Sequence, residues 1–447
     1  MRLLGLVSFL IIGAAAPARG QGGPKYETYR LENGLRVILA DDHSAPLVTV
    51  DVWYNVGSRN EPAGRSGFAH LFEHMMFQGS AHLKKGEHFQ LIERAGGDMN
   101  GSTNEDRTNY FETLPSNRLN LGLWLEADRM RSLAITTRNF ENQRETVKEE
   151  RRLGVDNQPY GPAFNDATAL PFDSTTCFAY AHTVIGSMDD LNAATRDDVQ
   201  AFFDLYYAPN NATLTVVGDF DPAEAKRLIR QYFGDIPRGR DPPPVPCVVR
   251  FGGGPTTRVY EDALANLPAV LLVYPIPGHT DPASRPLQLL TTILGQGESS
   301  RLNRGLVREA RSAVQAGAFI DSRRGSGVFL AYAIANQGVS ADTLAAQLAD
   351  QVARIARGIT ADEVTKARND YRASDLLGHQ TTKQVAEQLQ HYAHYHDALD
   401  EVGTDLARYM AVTAEDMVAA AARYLVPRNS YTVIAQPKAQ AGTGGGQ

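Results

Sequence analysis

The stretch Phe68-Ala69-His70-Leu71-Phe72-Glu73-His74-Met75-Met76-Phe77 sets three ionisable side chains into an otherwise apolar run. On an α-helix, His70 and His74 stand one turn apart on the same face, with Glu73 beside them at i+3 from His70. Two neutral imidazoles placed in this way can both reach one Zn²⁺ at about 2.0–2.1 Å. Glu73 is then free to take a proton from an activated water. An unpaired carboxylate and two unpaired imidazoles are costly in such a helix, and a bound cation removes much of that cost. The chemistry expected is metal-assisted hydrolysis, with His70 and His74 as ligands and Glu73 as general base.

Several elements must position these groups. Tyr29 to Leu39 reads as a hairpin, with an Asn33-Gly34 turn between alternating apolar and polar residues, and Leu47 to Tyr54 as a further strand. A loop bearing Gly57, Pro62, Gly64, Ser66 and Gly67 delivers the chain to the His70 helix. Phe89 to Ala95 is a second amphipathic helix, ended by Gly96-Gly97. The segment from Asp98 to Leu114 reads as extended and is polar on both faces until Tyr110, which suits a sheet edge. Asn100, Gly101, Ser102 and Thr103 could there pair with a peptide backbone by β-augmentation, or simply be solvated.

A third ligand has to come from elsewhere. Asn139 to Leu153 reads as a helix after the Leu-rich one at Arg118 to Leu133. At about 100° per residue, Phe140 and Val147 share a stripe and Glu150 lies about 60° from it, while Glu145 and Glu149 lie opposite. Glu150 is the acid that points inward, although carboxylates on a charged helix are commonly solvated.

The chain has 447 residues, too many for one ordinary core, so two large domains are expected. Its net charge is −7 and its Lys and Arg are dispersed, which offers no basic face to nucleic acid. Residues 1–20 follow a secretory pattern: Arg2, an apolar run from Leu3 to about Ala16, then Pro17-Ala18-Arg19-Gly20. The run is too short to span a bilayer comfortably, so a periplasmic or secreted protein without stable membrane insertion is expected. The two cysteines, Cys177 and Cys247, carry no geometric information about a bridge.

A Pro- and Gly-rich linker at 237–255 separates an N-terminal domain at 21–236 from a C-terminal one at 256–437; a disordered tail is expected at 438–447. Thr195, Asp198, Ala201, Tyr206, Pro209 and Asn211 recur as Thr413, Asp416, Ala419, Tyr424, Pro427 and Asn429, each shifted by 218, and Gln78-Gly79 recurs as Gln296-Gly297 at the same shift. One offset at both ends of the half means two copies of one fold. The shift turns His70, Glu73 and His74 into Gln288, Thr291 and Thr292, so the second copy cannot hold this metal. The other cluster, His391-Tyr392-Ala393-His394-Tyr395-His396, has no carboxylate placed like Glu73 and reads as a surface or interdomain helix.

Taken together, these residues resemble the pitrilysin/insulinase family of zinc metallopeptidases, above all its short two-domain members of the mitochondrial processing peptidase type. The specific parts are Gly67 to Phe77, Gly96-Gly97 to Tyr110, and Glu149-Glu150-Arg151-Arg152 leading to Asn157-Gln158-Pro159-Tyr160-Gly161. The resemblance implies an α+β fold of two homologous domains, each a mostly antiparallel sheet flanked by helices, the second one inactive. It implies one Zn²⁺ per chain, with the third ligand a Glu some 75 residues downstream; 150 − 74 − 1 leaves 75 residues before Glu150. A further Glu that supports the family's site is Gln143 here, an amide that can still hydrogen-bond but adds no charge. The resemblance also implies that Asn100, Gly101, Ser102 and Thr103 bind a peptide substrate.

The positions where the family often carries an Arg and a Tyr to hold the substrate oxyanion are Val307 and Val314, and a valine can do neither job. A homologous partner subunit supplying that pair, in a heterodimer, is the expectation. The same fold also serves as a non-catalytic core subunit of a respiratory complex, a use that the intact His70, Glu73, His74 and Glu150 argue against.

Overall fold

In a computed structural model, residues 23–438 are described. The expected export segment and the tail beyond Lys438 lie outside the described residues. Eleven strands among them form two sheets. The first half supplies β1 (Glu27–Arg30), β2 (Arg36–Asp41), β3 (Leu47–Tyr54), β4 (Asp98–Thr103), β5 (Thr108–Pro115) and β6 (Ala212–Gly218). The second half supplies β7 (Thr256–Asp262), β8 (Ala269–Pro277), β9 (Ala313–Asp321), β10 (Ser326–Ala335) and β11 (Tyr431–Pro437). The strand orders are β1-β2-β6-β3-β5-β4 and β7-β11-β8-β10-β9. Without β1 the two orders are the same, down to the single parallel pair in each, β2 with β6 and β7 with β11.

The recurring residues explain themselves in this frame. Thr195 and Thr413 each cap a helix through a capping box with Asp198 and Asp416. Asn211 and Asn429 each donate their side-chain amide back to the carbonyl at the helix end, Tyr206 at 2.8 Å and Tyr424 at 3.0 Å.

Alternation along the strands sends neighbouring side chains to opposite faces, and each face is covered differently. In the first sheet Val37, Leu39, Val50, Val52, Leu214 and Val216 join a core closed by α1 (Phe68–Met75), α2 (Glu87–Arg94), α3 (Leu119–Ser132) and the C-terminal helices of that half. Ile38, Ala40 and Val217 face the other way and are covered by Ala386, Leu389, Tyr392, Ala393 and Leu399 from the second half. The exchange is reciprocal. Leu271, Val273, Val328 and Val433 of the second sheet are covered by Ala163, Ala167, Phe172 and Tyr180 from the first half. A shift of 218 carries residues 161–180 onto 379–398, so each half lends the corresponding segment to the sheet of the other. Residues 237–255 contain no helix or strand, and Cys247 within them is disulfide-bonded to Cys177 of the lent segment.

One sequence expectation needs correction. Asp98 to Leu114 is not one strand but the β4–β5 hairpin. Asn104 Oδ1 accepts the backbone N–H groups of Asp106 at 2.8 Å and Arg107 at 2.9 Å, which turns the chain. Only β4 is the sheet edge; β5 is interior, between β4 and β3.

Candidate metal centre

The apolar residues of α1, Phe68, Ala69, Leu71, Phe72 and Met75, are buried, which turns the complementary positions His70, Glu73 and His74 away from the core. The entry to the helix is fixed at Gly67, whose φ of 91° lies in the left-handed region; a Cβ there would stand 2.9 Å from the Ile185 carbonyl oxygen. The buried Glu61 carboxylate then receives the free N–H groups of the first turn, from Gly67 at 2.9 Å and Ala69 at 2.7 Å, and contacts His182 Nε2 at 3.0 Å. Sequence reasoning missed Glu61 and His182. A loop acid seven residues before the helix and a histidine more than a hundred residues after it carry no periodic signal.

The helix α4 (Thr137–Arg151) lies against α1 and begins at Thr136, whose hydroxyl accepts the Asn139 N–H at 3.1 Å. Phe140, Gln143 and Val147 are its buried residues. Glu145 pairs with Lys148 and Glu149 with Arg152, both at 3.0 Å, on the outer side. Glu150 instead reaches α1. Its Oε1 lies 3.5 Å from His70 Nε2 and its Oε2 lies 3.2 Å from His74 Nε2. Two ligands of a tetrahedral Zn²⁺ with bonds of 2.0–2.1 Å stand about 3.3 Å apart. Those two separations straddle that value, and the donors, two imidazoles and a carboxylate, are of the kind zinc takes; the residues fit the ion.

Burial holds the His70 imidazole down to about 4, against the pull of Glu150, so this ring is neutral as a ligand must be. Burial also opposes charge on His74, but its hydrogen bond and ion pairing with Glu150, helped by Glu73 and Gln143, push it up overall. The hydrogen bond with His74 draws the Glu150 carboxyl down. Gln143 donates its amide to Asn142 Oδ1 at 2.8 Å and is among the hydrogen-bonding groups acting on His74. His70 Nδ1 is buried without a hydrogen-bond partner among the described residues.

Glu73 sits between this cluster and the sheet edge. Thr103 donates its hydroxyl to Glu73 Oε2 at 2.6 Å, and burial pushes the Glu73 carboxyl up from its ordinary value. His70, Glu73, Glu150 and the β4 residues Gly101, Ser102 and Thr103 line one cavity of about 560 Å³. The Gly101 N–H is held by the Asn100 side-chain oxygen at 2.9 Å, and a Cβ at Gly101 would come within 3.1 Å of Tyr110 Cδ1. Arg107 donates to the Ser102 carbonyl and hydroxyl, both at 2.7 Å, and stiffens the strand.

Among the described residues, the second half offers no copy of this arrangement. Thr291 turns its hydroxyl onto the Gln288 carbonyl at 2.7 Å and Thr292 bonds Gln296 Oε1 at 2.9 Å, both within the helix Ser284–Gly295 and its end. Val307 packs against the core of that half, Val314 is 50% exposed on β9, and neither lines the cavity. Among the described residues, no Arg or Tyr lines it either.

The family model described as insulinase (peptidase family M16) matches residues 36–161, and the one described as peptidase M16 inactive domain matches residues 193–371. The chain is 33% identical over 445 residues to the zinc protease PqqE of Helicobacter pylori, with 98% of each chain covered. It is 25% identical over 386 residues to a probable mitochondrial-processing peptidase subunit beta of Arabidopsis thaliana, covering 82% of this chain and 70% of that one. A crystal structure of a protease from Helicobacter pylori superposes with a TM-score of 0.87 at 30% identity, over 93% of this chain and 100% of the other. A Pseudomonas fluorescens structure described as a peptidase M16 inactive domain shares the fold, with a TM-score of 0.82 at 19% identity over 93% of this chain and 98% of the other.

Proposed function

Because the chain belongs to the insulinase family of peptidases, we propose that it is an exported zinc metalloendopeptidase in which His70, His74 and Glu150 hold one Zn²⁺ and Glu73 is the general base. The observation that carries this reading is the approach of Glu150 to both imidazole Nε2 atoms, at 3.5 and 3.2 Å, with Glu73 left outside the ligand set and held by Thr103. When bound, the ion supplies an acidified water and polarises the scissile carbonyl.

The chain's own residues do the rest. Glu73 takes a proton from the attacking water as its oxygen adds to the carbonyl carbon, and returns that proton to the amide nitrogen as the C–N bond breaks. A carboxyl raised by burial is better matched to both transfers than a solvated one. Gln143 orients the His74 ring. An extended peptide lies along Asn100, Gly101, Ser102 and Thr103 and takes over the Gly101 N–H that Asn100 now holds. The close fit of Gly101 against Tyr110 keeps that edge free of a side chain, so backbone and not side-chain identity is what the strand reads.

Among the described residues, neither an Arg nor a Tyr lines the cavity, and this supports a homologous second chain that supplies them. Export rests on the secretory pattern of residues 1–20. No helix among the described residues is long and apolar enough to cross a membrane.

Replacing Glu73 by Gln tests the assignment. Zinc content is expected to stay at the native level while cleavage of a quenched peptide falls by about 10²–10⁴-fold. Undiminished cleavage, or loss of the metal, defeats the general-base role.

A further inference from the structure

His279, His391 and His396 come together where the two halves meet. His279 follows β8 in the loop before the helix Ser284–Gly295; His391 closes the helix Thr382–His391, and His396 ends the turn after it. The ring centroids are 4.6 Å apart for His279 and His391, 5.2 Å for His279 and His396, and 5.6 Å for His391 and His396. The His70 and His74 rings, for comparison, are 4.8 Å apart. One ring nitrogen from each of the three lies within 4.8 Å of the other two.

The surroundings are those of a ligand set and not of plain aromatic packing. His396 Nδ1 is held by Glu401 Oε2 at 2.8 Å, and Glu401 is itself paired with Arg408. A carboxylate on Nδ1 fixes the tautomer and leaves Nε2 bare, the arrangement that prepares an imidazole to bind a metal. The rings of His279 and His391 hydrogen-bond to no other residue among those described. All three residues are part-buried, and a cation would take ring lone pairs of His279 and His391 that no described residue uses. The Tyr395 ring, 5.1 Å from both His279 and His391, walls the cluster. The His279 loop is itself anchored, with the His279 N–H on the Arg323 carbonyl at 2.9 Å.

We propose that His279, His391 and His396 form a second divalent-cation site, distinct from the His70 centre, that takes Zn²⁺ and ties the helix lying on the first sheet to the second half. Three neutral imidazoles suit zinc, copper or nickel; zinc accepts three nitrogens and a water in a tetrahedron. In such a tetrahedron the nitrogens stand about 3.3 Å apart, and the three ring nitrogens lie within 4.8 Å of one another. That helix is seated on the catalytic sheet: Gln390 Nε2 donates to the carbonyls of Asp51 at 3.0 Å and Thr213 at 2.8 Å. Filling the site fixes how the two halves are held against each other.

The test uses the full chain with His70→Ala and His74→Ala, which removes the first centre and makes the outcome independent of the peptidase reading. After chelator treatment, Zn²⁺ alone is titrated in competition with a chromophoric chelator, and melting is followed with and without the ion. The expected result is one Zn²⁺ per chain and a rise in Tm, with both lost on adding His279→Asn or, separately, His396→Gln. Glu401→Gln is expected to weaken binding by about 10–100-fold, as loss of an orienting carboxylate does. His394→Gln, outside the triad, should change neither readout. Each variant is accepted only if its metal-free melting stays cooperative. No Zn²⁺ bound by the double variant at micromolar concentration overturns the proposal, as does binding that both triad substitutions leave untouched.

Discussion

Among the side chains of the metal centre, Gln143 is the one whose chemistry is least forced. It is buried on α4 and donates its amide to Asn142 Oδ1, and the role proposed for it is to orient His74. Replacing it by Leu keeps the volume and removes the hydrogen bond, so zinc affinity in chelator competition should fall by about 10–100-fold with the fold intact. An affinity equal to the native one would mean that His74 needs no orienting partner. Glu150 was legible in the sequence because a helical wheel separates it from Glu145 and Glu149, and the structure spends those two on Lys148 and Arg152. The hydroxyl of Thr103 on Glu73 was not legible, since it depends on how far a strand edge stands from a helix. No spacing rule along the chain encodes that distance.

At the scale of elements, α1 depends on an anchor outside itself. Burial of Glu61 raises its carboxyl, and the hydrogen bonds from His182, Ala69 and Gly67 pull it back only in part. Burial opposes charge on His182, yet the hydrogen bond and charge of Glu61 outweigh it and raise this imidazole above its usual 6.5. A base whose folded value is raised stabilises fully below its unfolded value, and that stabilisation is lost as pH rises through the folded value. Native Tm should therefore fall as pH increases upward from about 6.5, and the difference between native and His182→Gln should shrink over the same window. A native-minus-variant difference that stays constant or grows with pH would contradict the ion-pair anchor. The helix itself was plain from its apolar pattern, and so was the hairpin around Asn33-Gly34. The β4–β5 turn was hidden because the strand before Asn104-Glu105-Asp106-Arg107 is itself mostly polar; the Asn104 side chain that makes the turn looks like one more edge residue.

The whole molecule is two copies of one fold that have exchanged a covering segment, 161–180 for 379–398. The duplication could be read from a single offset, because capping boxes and helix-closing asparagines keep residue types in register. The exchange could not be read, since an amphipathic helix shows that it covers a face and not whose face it is. It also changes the meaning of the His391 cluster: His279 and Glu401, invisible as partners along the chain, meet it in space. The same duplicated design bears on the missing oxyanion donors. With Val307 packed against the core and Val314 half-exposed on β9, the pure chain should cleave quenched peptides poorly, and activity should rise when a homologous chain bearing the Arg and Tyr co-elutes with it in size-exclusion chromatography. Full activity of the chain alone, as monomer or homodimer, would defeat the heterodimer.

The central claim is that two imidazoles of α1 and one carboxylate of α4 share a single zinc ion. Anomalous diffraction at the zinc edge from crystals of the protein purified without chelator tests it most directly. The account predicts a peak about 2.0–2.2 Å from His70 Nε2, His74 Nε2 and a Glu150 carboxylate oxygen. No peak between α1 and α4, or one there with the Glu150 carboxylate turned to solvent, would contradict it.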